Sequence, residues 1–177
     1  VFVARIAGKE FAWVYEKPSY SKTIGDLDAQ TIVVQEVIVE HESLAAFRIL
    51  PATRFGDVKT GSFDMSVSRS LESAPLFTKQ VAISDLKDAL WYQVDIPTDV
   101  KITKGEHLFI SIRTMNSSAP YASVRYAQDP IRGTPIYISR TGNIDDAVQK
   151  PGSLGLELMY VGIDGKQASE LETKLLR

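Results

Sequence analysis

Alternation of apolar and polar residues is the dominant pattern along this chain. It is clearest in residues 61–69, where Phe63, Met65 and Val67 are separated by serine and aspartate. Successive side chains of a β-strand point to opposite faces, so this period of two predicts a strand with one buried and one wet face. The other candidate strands are 1–6, 11–16, 31–40, 44–50, 80–83, 92–96, 108–113, 121–127, 136–140 and 154–163.

Short turn sequences rich in glycine, proline and asparagine separate these segments. About ten strands joined by such turns predict an all-β fold, an antiparallel β-sandwich or barrel. A doubly wound α/β fold would need helices of roughly 10–15 residues between the strands, and the chain shows no such helical period. We therefore predict a single β-sandwich domain over residues 1–165.

Two stretches have helical character. Ser84 is suited to capping one or two turns over residues 84–89. Residues 166–177 place Leu171 and Leu175 four positions apart among glutamate and lysine, which predicts a short C-terminal helix. The same segment fits the start of a linker or coiled coil equally well, because it ends before any capping residue.

Composition narrows the classes of function. A chain of 177 residues can bury about 70% of its unfolded surface without help from disulfides or metals. The absence of cysteine excludes thiol catalysis and iron–sulfur clusters. A net charge of -2 argues against a nucleic-acid partner, and no apolar run predicts a membrane span. Because the chain opens on Val1 and closes within a helical pattern, we expect a domain of a longer protein of unknown compartment.

The motifs of the common enzyme classes are missing. The two histidines, His41 and His107, have no second histidine at a metal-binding spacing. The chain has no nucleophile elbow and no phosphate-binding glycine loop. The strand carboxylates Asp64, Asp95 and Glu157 alternate with apolar residues as ordinary solvent-facing positions do, which favours a wet sheet face over a glycosidase pair. We therefore expect no catalytic residues and no enzymatic activity.

Two acidic pairs are candidate oxygen ligands for calcium, Asp26 with Asp28 and Asp145 with Asp146. Neither pair follows the spacing of an EF-hand loop. Solvated turns are the simpler interpretation, and we predict no metal site and no cofactor.

The segment from Leu90 to Ile112 carries a more specific pattern. Residues 90–97 contain the predicted strand 92–96 with a tryptophan just before it, and residues 100–112 give a hydrophobic-Thr-x-Gly-Glu loop followed by an apolar strand. This order resembles the jelly-roll and galactose-binding-like sandwiches, over about residues 30–163. The resemblance implies a jelly-roll-like accessory domain, because similar sandwiches are attached to bacterial glycosyltransferases and glycoside hydrolases. Such carbohydrate-binding modules often hold a structural calcium, so calcium stays open on this ground.

The stretch between Arg113 and Arg140 is rich in arginine and tyrosine. The flat C–H face of a sugar stacks on aromatic rings, and its hydroxyl groups bond to arginine, aspartate and asparagine side chains. The candidate carbohydrate-binding residues are Trp91, Arg113, Tyr121, Arg125, Tyr126, Arg132 and Tyr137. The alternative is that these side chains pack in the core or line a wet sheet face, and the sequence leaves that choice open.

Together these observations predict a non-catalytic, carbohydrate-binding-like accessory domain of a larger bacterial protein that acts on surface polysaccharide. Binding by stacking and hydrogen bonds needs no cofactor, and a shallow site predicts weak affinity. The expected partners are a carbohydrate and the other domains of the parent chain. The alternative is a structural or protein-interaction module with no glycan ligand, which forms homo-oligomers through the C-terminal helix.

Overall fold

The computed structural model of the chain is all-β and antiparallel, as the alternation predicts. It describes the backbone of residues 2–6 and 9–13 and the whole of residues 20–54, 57–58, 60–129 and 134–161. In these residues the strands are β1 (Phe2–Ile6), β2 (Lys9–Trp13), β3 (Lys22–Thr23), β4 (Ile32–Ile38), β5 (Leu44–Ile49), β6 (Pro51–Ala52), β7 (Ser62–Ser68), β8 (Phe77–Ala82), β9 (Tyr92–Asp95), β10 (His107–Met115), β11 (Ser123–Ala127), β12 (Ile136–Ser139), β13 (Val148–Lys150), β14 (Ser153–Leu154) and β15 (Leu156–Val161).

The strands of the described residues form three sheets. One sheet has five strands in the order β1–β2–β15–β5–β9, and a second has six in the order β13–β12–β4–β10–β7–β8. In the third, a small sheet, β11 pairs with β3, β6 and β14. Because β6 continues β5 and β14 leads into β15, the small sheet is joined along the chain to the five-stranded sheet.

Side chains from all three sheets meet in one buried apolar cluster. The alternating residues Phe63, Met65 and Val67 of β7 enter it with no exposed surface, which confirms the predicted buried face of that strand. Phe47 of the five-stranded sheet and Val124 of β11 join the same cluster. Burial of apolar area contributes about 25 cal/mol per Å², so this shared core is the main source of stability. Antiparallel sheets that enclose one core are consistent with a β-sandwich.

The small sheet and the five-stranded sheet meet at Gly155. Its N–H donates to the carbonyl of Arg125 at 2.7 Å, and its own carbonyl accepts from the N–H of Leu50 at 2.7 Å. A Cβ atom on Gly155 would lie 2.7 Å from the Cβ of Leu50, well inside normal carbon–carbon contact. Glycine is therefore required where these strands converge.

Strand β4 contains a break in the alternation at Gln35 and Glu36, where the sequence does not indicate which side chain is buried. The structure buries Gln35 completely. Its Nε2 donates to the carbonyl of Pro135 at 3.1 Å, and its Oε1 accepts from the N–H of Leu154 at 2.9 Å. A buried amide is tolerated when its polar atoms are paired in this way. Because Leu154 belongs to the small sheet, Gln35 connects two sheets through the core.

The structure has more strands than the pattern predicts. Fifteen occur in the described residues, against about ten expected from the spacing of turns. One reason is that the predicted strand 154–163 is divided at Gly155 into β14 and β15. Another is that the predicted strand 44–50 continues beyond Leu50 into β6.

The structure tests one of the two predicted helical segments. The sequence predicts a turn or two of helix over residues 84–89, but the helical turn is the 3-10 helix Ile83–Asp85, and the backbone is extended again at Leu86. The predicted C-terminal helix, residues 166–177, lies outside the described residues and stays a prediction. None of the helices in the described part of the chain is long and apolar enough to span a membrane.

The turn before β10 holds the Thr-x-Gly-Glu sequence that carries the jelly-roll resemblance. The N–H and the hydroxyl of Thr103 donate to Oε1 of Glu106 at 2.9 and 2.7 Å, and Arg69 Nε donates to Oε2 at 3.1 Å. The hydroxyl of Thr103 has the largest effect on the carboxyl group and, with the backbone N–H and Arg69, outweighs its burial, so the pKa of Glu106 lies below its ordinary value. The sequence thus encodes a closed turn that leads into β10.

Candidate functional site

The outer face of the six-stranded sheet forms an open groove of about 410 Å³. Its floor is formed by Ser66 of β7 with Phe109 and Ser111 of β10. Residues of two loops complete the lining, the first wall loop (69–76) and the second wall loop (140–147). Because the lining comes from both strands and loops, the groove has a sheet as its base and loop side chains of mixed polarity, such as Leu71, Ser73 and Asn143, as its sides.

Small side chains on the floor create the space. Ser66 and Ser111 are cross-strand neighbours, and their Oγ atoms lie 2.6 Å apart. Each hydroxyl retains further capacity to donate or accept a hydrogen bond. Phe109, two residues along β10, is half-buried, and its ring lies 6.3 Å from that of Tyr137. The floor therefore offers hydroxyl groups beside an aromatic ring.

Internal hydrogen bonds shape both wall loops. In the first, the N–H of Ser70 donates to Oγ of Ser73 and the N–H of Ser73 donates to Oγ of Ser70, each at 3.0 Å. In the second, the hydroxyl of Ser139 donates to the carbonyl of Asn143 at 2.6 Å. Arg140 anchors the same loop by donating from Nη1 to a backbone carbonyl of the segment after β3, also at 2.6 Å. Such bonds hold the walls in place before any ligand arrives.

Two opposite charges line the groove. Arg113 of β10 and Asp64 of β7 are directly paired in the strand register. Their side chains nevertheless bond elsewhere: Arg113 Nη2 donates to the carbonyl of Gly142 at 3.3 Å, and Asp64 Oδ1 accepts from Nε2 of Gln80 at 2.9 Å. Each charged group keeps atoms that are able to bond a ligand.

Tyr137 of β12 extends this face next to the groove. Its phenol donates to Oε2 of Glu36 at 3.4 Å, while Oε1 of Glu36 lies 2.8 Å from Nδ1 of His107. Burial, followed by the charge of Glu36 and the hydrogen bond to it, raises the pKa of Tyr137, so the phenol stays protonated at neutral pH. A second cavity of about 410 Å³ lies beside Tyr137 and shares residues of both wall loops with the groove.

Of the residues predicted to bind carbohydrate, Arg113 and Tyr137 lie on this outer face. Trp91 does not, because it precedes β9 and contacts β5 of the five-stranded sheet. The guanidinium of Arg48 lies 5.0 Å from the centre of the Trp91 ring, and the ring of Tyr20 meets it edge-on at 5.8 Å. Trp91 therefore belongs to a different surface.

The other predicted residues surround β11. Tyr126 is only 5% exposed and packs in the core, with the ammonium of Lys150 4.5 Å from its ring centre. Arg125 donates from Nη2 to Oδ2 of Asp88 at 3.4 Å. Tyr121 is half-buried near the start of the same strand. None of these three side chains lines the groove, and those of Arg125 and Tyr126 are held by the contacts given above.

The structure does not gather the predicted residues into one site, and Arg132 lies outside the described residues. It assembles instead a set that sequence reasoning passed over, namely Ser66, Phe109, Ser111 and Asn143. The signal was present, since the serines alternate with buried residues on β7 and β10. Serine on a wet strand face is common, however, and only the wall loops turn this face into a groove.

The carboxylates considered for a glycosidase pair are divided between two sheets. Asp64 lies on β7 of the six-stranded sheet, whereas Asp95 on β9 and Glu157 on β15 both belong to the five-stranded sheet. The prediction that Glu157 faces solvent is wrong, because its side chain is buried and paired with Arg48. Among the described residues, no group of three or more histidine, aspartate or glutamate side chains is placed to hold a metal ion. The groove itself presents the hydroxyls of Ser66 and Ser111 and the ring of Phe109, which are suited to hydrogen bonding and stacking.

No protein-family model matches the chain, and no curated protein is significantly similar to it in sequence.

Proposed function

We propose that this chain is a non-catalytic carbohydrate-binding domain with a jelly-roll-like sandwich, and that its ligand lies in the groove on the six-stranded sheet. The observation that carries the proposal is the groove itself, where paired serine hydroxyls lie beside a half-buried aromatic ring between hydrogen-bonded loops. Its volume falls within the usual range for small-ligand sites.

The lining matches the two kinds of surface that a sugar presents. Hydroxyl groups of a sugar both donate and accept hydrogen bonds, as do the hydroxyls of Ser66 and Ser111 and the amide of Asn143. The C–H face of a sugar ring is apolar and stacks on an aromatic side chain such as Phe109. A groove lined by apolar residues alone would favour a different ligand class.

Binding in this groove requires no covalent chemistry and no cofactor. The wall loops are already held by internal hydrogen bonds, so little ordering accompanies binding. The groove is open to solvent and leaves much of a ligand exposed, which limits affinity. We propose a binding module that is attached to a larger bacterial protein acting on surface polysaccharide, a setting drawn from the jelly-roll resemblance.

The rival proposal, a structural or protein-interaction module, would favour a continuous apolar surface. In the described part of the chain the large apolar side chains that are exposed are Ile38, Leu90 and Val148. They lie on three separate segments, β4, the turn before β9, and β13. This scatter favours the carbohydrate proposal over a docking role.

Filling the groove is expected to abolish carbohydrate binding. Ser111→Tyr places a large side chain on the floor, at a position that already faces outward and leaves the core intact. We expect at least about a 10-fold loss of affinity for any oligosaccharide that binds the wild-type domain, measured by calorimetric titration after a glycan array has found a binder. Gln93→Tyr makes a similar exposed substitution on β9 and should bind as the wild type does.

Two results would contradict the proposal. One is a bound oligosaccharide whose affinity is unchanged in Ser111→Tyr. The other is a wild-type domain that binds no glycan at millimolar concentration while it self-associates, which would support the interaction module. Thermal unfolding of Ser111→Tyr and Gln93→Tyr verifies that both variants are folded.

A further inference from the structure

Arg113 and Arg140 have no carboxylate partner among the described residues, and of these two arginines Arg113 lines the groove. Arg48, Arg54, Arg69 and Arg125 each pair with a carboxylate. Arg113 has no ion pair within the part of the chain that the structure describes, and its hydrogen bond goes to a backbone carbonyl of the second wall loop. Among the described residues that line the groove, Arg113 carries the one positive charge.

Asp64 is the acidic residue directly opposite Arg113 on the neighbouring strand. Opposite charges at directly paired positions on neighbouring strands usually attract one another. Arg113 and Asp64 are such a pair. Asp64 nevertheless accepts a hydrogen bond from Gln80, and Arg113 donates one to the carbonyl of Gly142. The fold thus holds the two charges apart, and both line the groove.

We infer that the ligand of the groove is an acidic glycan, with a hexuronate carboxylate bound by Arg113; this inference rests on the proposed function. A planar guanidinium offers several N–H donors in a fork that matches a carboxylate. Asp64 accepts hydrogen bonds from sugar hydroxyls and, by repulsion, favours a singly charged carboxylate over a phosphate dianion. The carboxylate of the ligand therefore lies beside the guanidinium of Arg113, near Gly142.

The strand geometry also places the rest of the ligand. Arg113, Ser111 and Phe109 follow one another at alternate positions on the same face of β10. A rise of about 3.4 Å per residue separates Arg113 from Phe109 by roughly 14 Å. A uronate bound at Arg113 therefore leaves Ser111 to bond its hydroxyl groups and Phe109 to stack on a following sugar ring.

The test compares three oligosaccharides in calorimetric titrations: an oligouronate, the same oligosaccharide with its carboxyl groups reduced to hydroxymethyl groups, and a phosphate-bearing counterpart. The wild-type domain is expected to bind the oligouronate about 10-fold more tightly than the reduced form, with a preference that weakens as salt is added. Arg113→Gln should lose that preference and keep the affinity for the reduced form. Arg54→Gln removes the same charge outside the groove and should leave every affinity unchanged.

Each alternative outcome has a definite meaning. Equal binding of the acidic and reduced oligosaccharides, abolished in both cases by Ser111→Tyr, would overturn the acidic ligand and leave the carbohydrate groove standing. Phosphate-bearing glycan bound as tightly as the oligouronate through Arg113 would overturn the assignment of a carboxylate. No binding of any of the three would remove this inference, and a glycan array that also finds no binder would remove the proposed function.

Discussion

Gln35→Ala is expected to lower the free energy of unfolding by about 3 kcal/mol. The substitution leaves a cavity in the core and removes the acceptor of the Leu154 N–H, which lies 2.9 Å from Oε1. It also removes the donor to the Pro135 carbonyl. Because an unpaired buried N–H costs more than a hydrogen bond contributes, the connection between the two sheets should weaken. Urea unfolding followed by fluorescence measures the effect.

Two further variants separate the causes. Gln93→Ala removes an exposed glutamine from β9 and should change stability by less than about 0.5 kcal/mol. Gln35→Leu restores the volume without the hydrogen bonds, so it should remain clearly less stable than the wild type. A loss in Gln35→Ala no greater than that in Gln93→Ala would show that the buried amide does not connect the sheets.

Gly152→Ala is expected to cost a similar amount, about 3 kcal/mol or more. Gly152 has a φ of +129°, and an added Cβ would lie 2.6 Å from the carbonyl oxygen of Ala127. That oxygen belongs to β11, where Ala127 pairs with Ser153, so the backbone has to move and the pairing of β11 with β14 is disturbed. Thermal and urea unfolding both report the loss.

Gly105→Ala is the matched control for this substitution. Gly105 also has a positive φ, +87°, but an added Cβ would meet nothing within 4 Å. It should therefore cost only the conformational penalty of about 1–2 kcal/mol. Equal losses in Gly105→Ala and Gly152→Ala would contradict the close approach of β14 to β11.

The fold class could be predicted because its signal is local. The alternation at Phe63, Met65 and Val67 predicts which face of β7 is buried, and this prediction needs no information about any other strand. The same rule places Val124 and Tyr126 together on one face of β11, and the structure buries both. Alternation does not predict the burial of a polar residue whose hydrogen-bond partner is distant in sequence. Gln35 is such a residue, because its Oε1 accepts from the N–H of Leu154, 119 positions along the chain.

The site could be predicted only in part for the same reason. The density of arginine and tyrosine predicts a binding surface in the stretch that contains Arg113 and Tyr137, and both residues lie on the outer face of the six-stranded sheet. The groove depends on strand register, which brings Ser66 beside Ser111 across 45 positions. Side-chain type does not reveal register. Side-chain type also misleads at Tyr126, an aromatic residue predicted to bind a ligand that instead packs in the core.

The most direct test of the carbohydrate groove is a titration of the isotope-labelled domain followed by amide chemical shifts. With an oligouronate identified on the array, we expect the largest shifts at Ser66, Ser111, Arg113 and Asn143, and none at Gln93 on the five-stranded sheet. Shifts confined to the surface around Trp91, with the amides of the groove unchanged, would contradict the account.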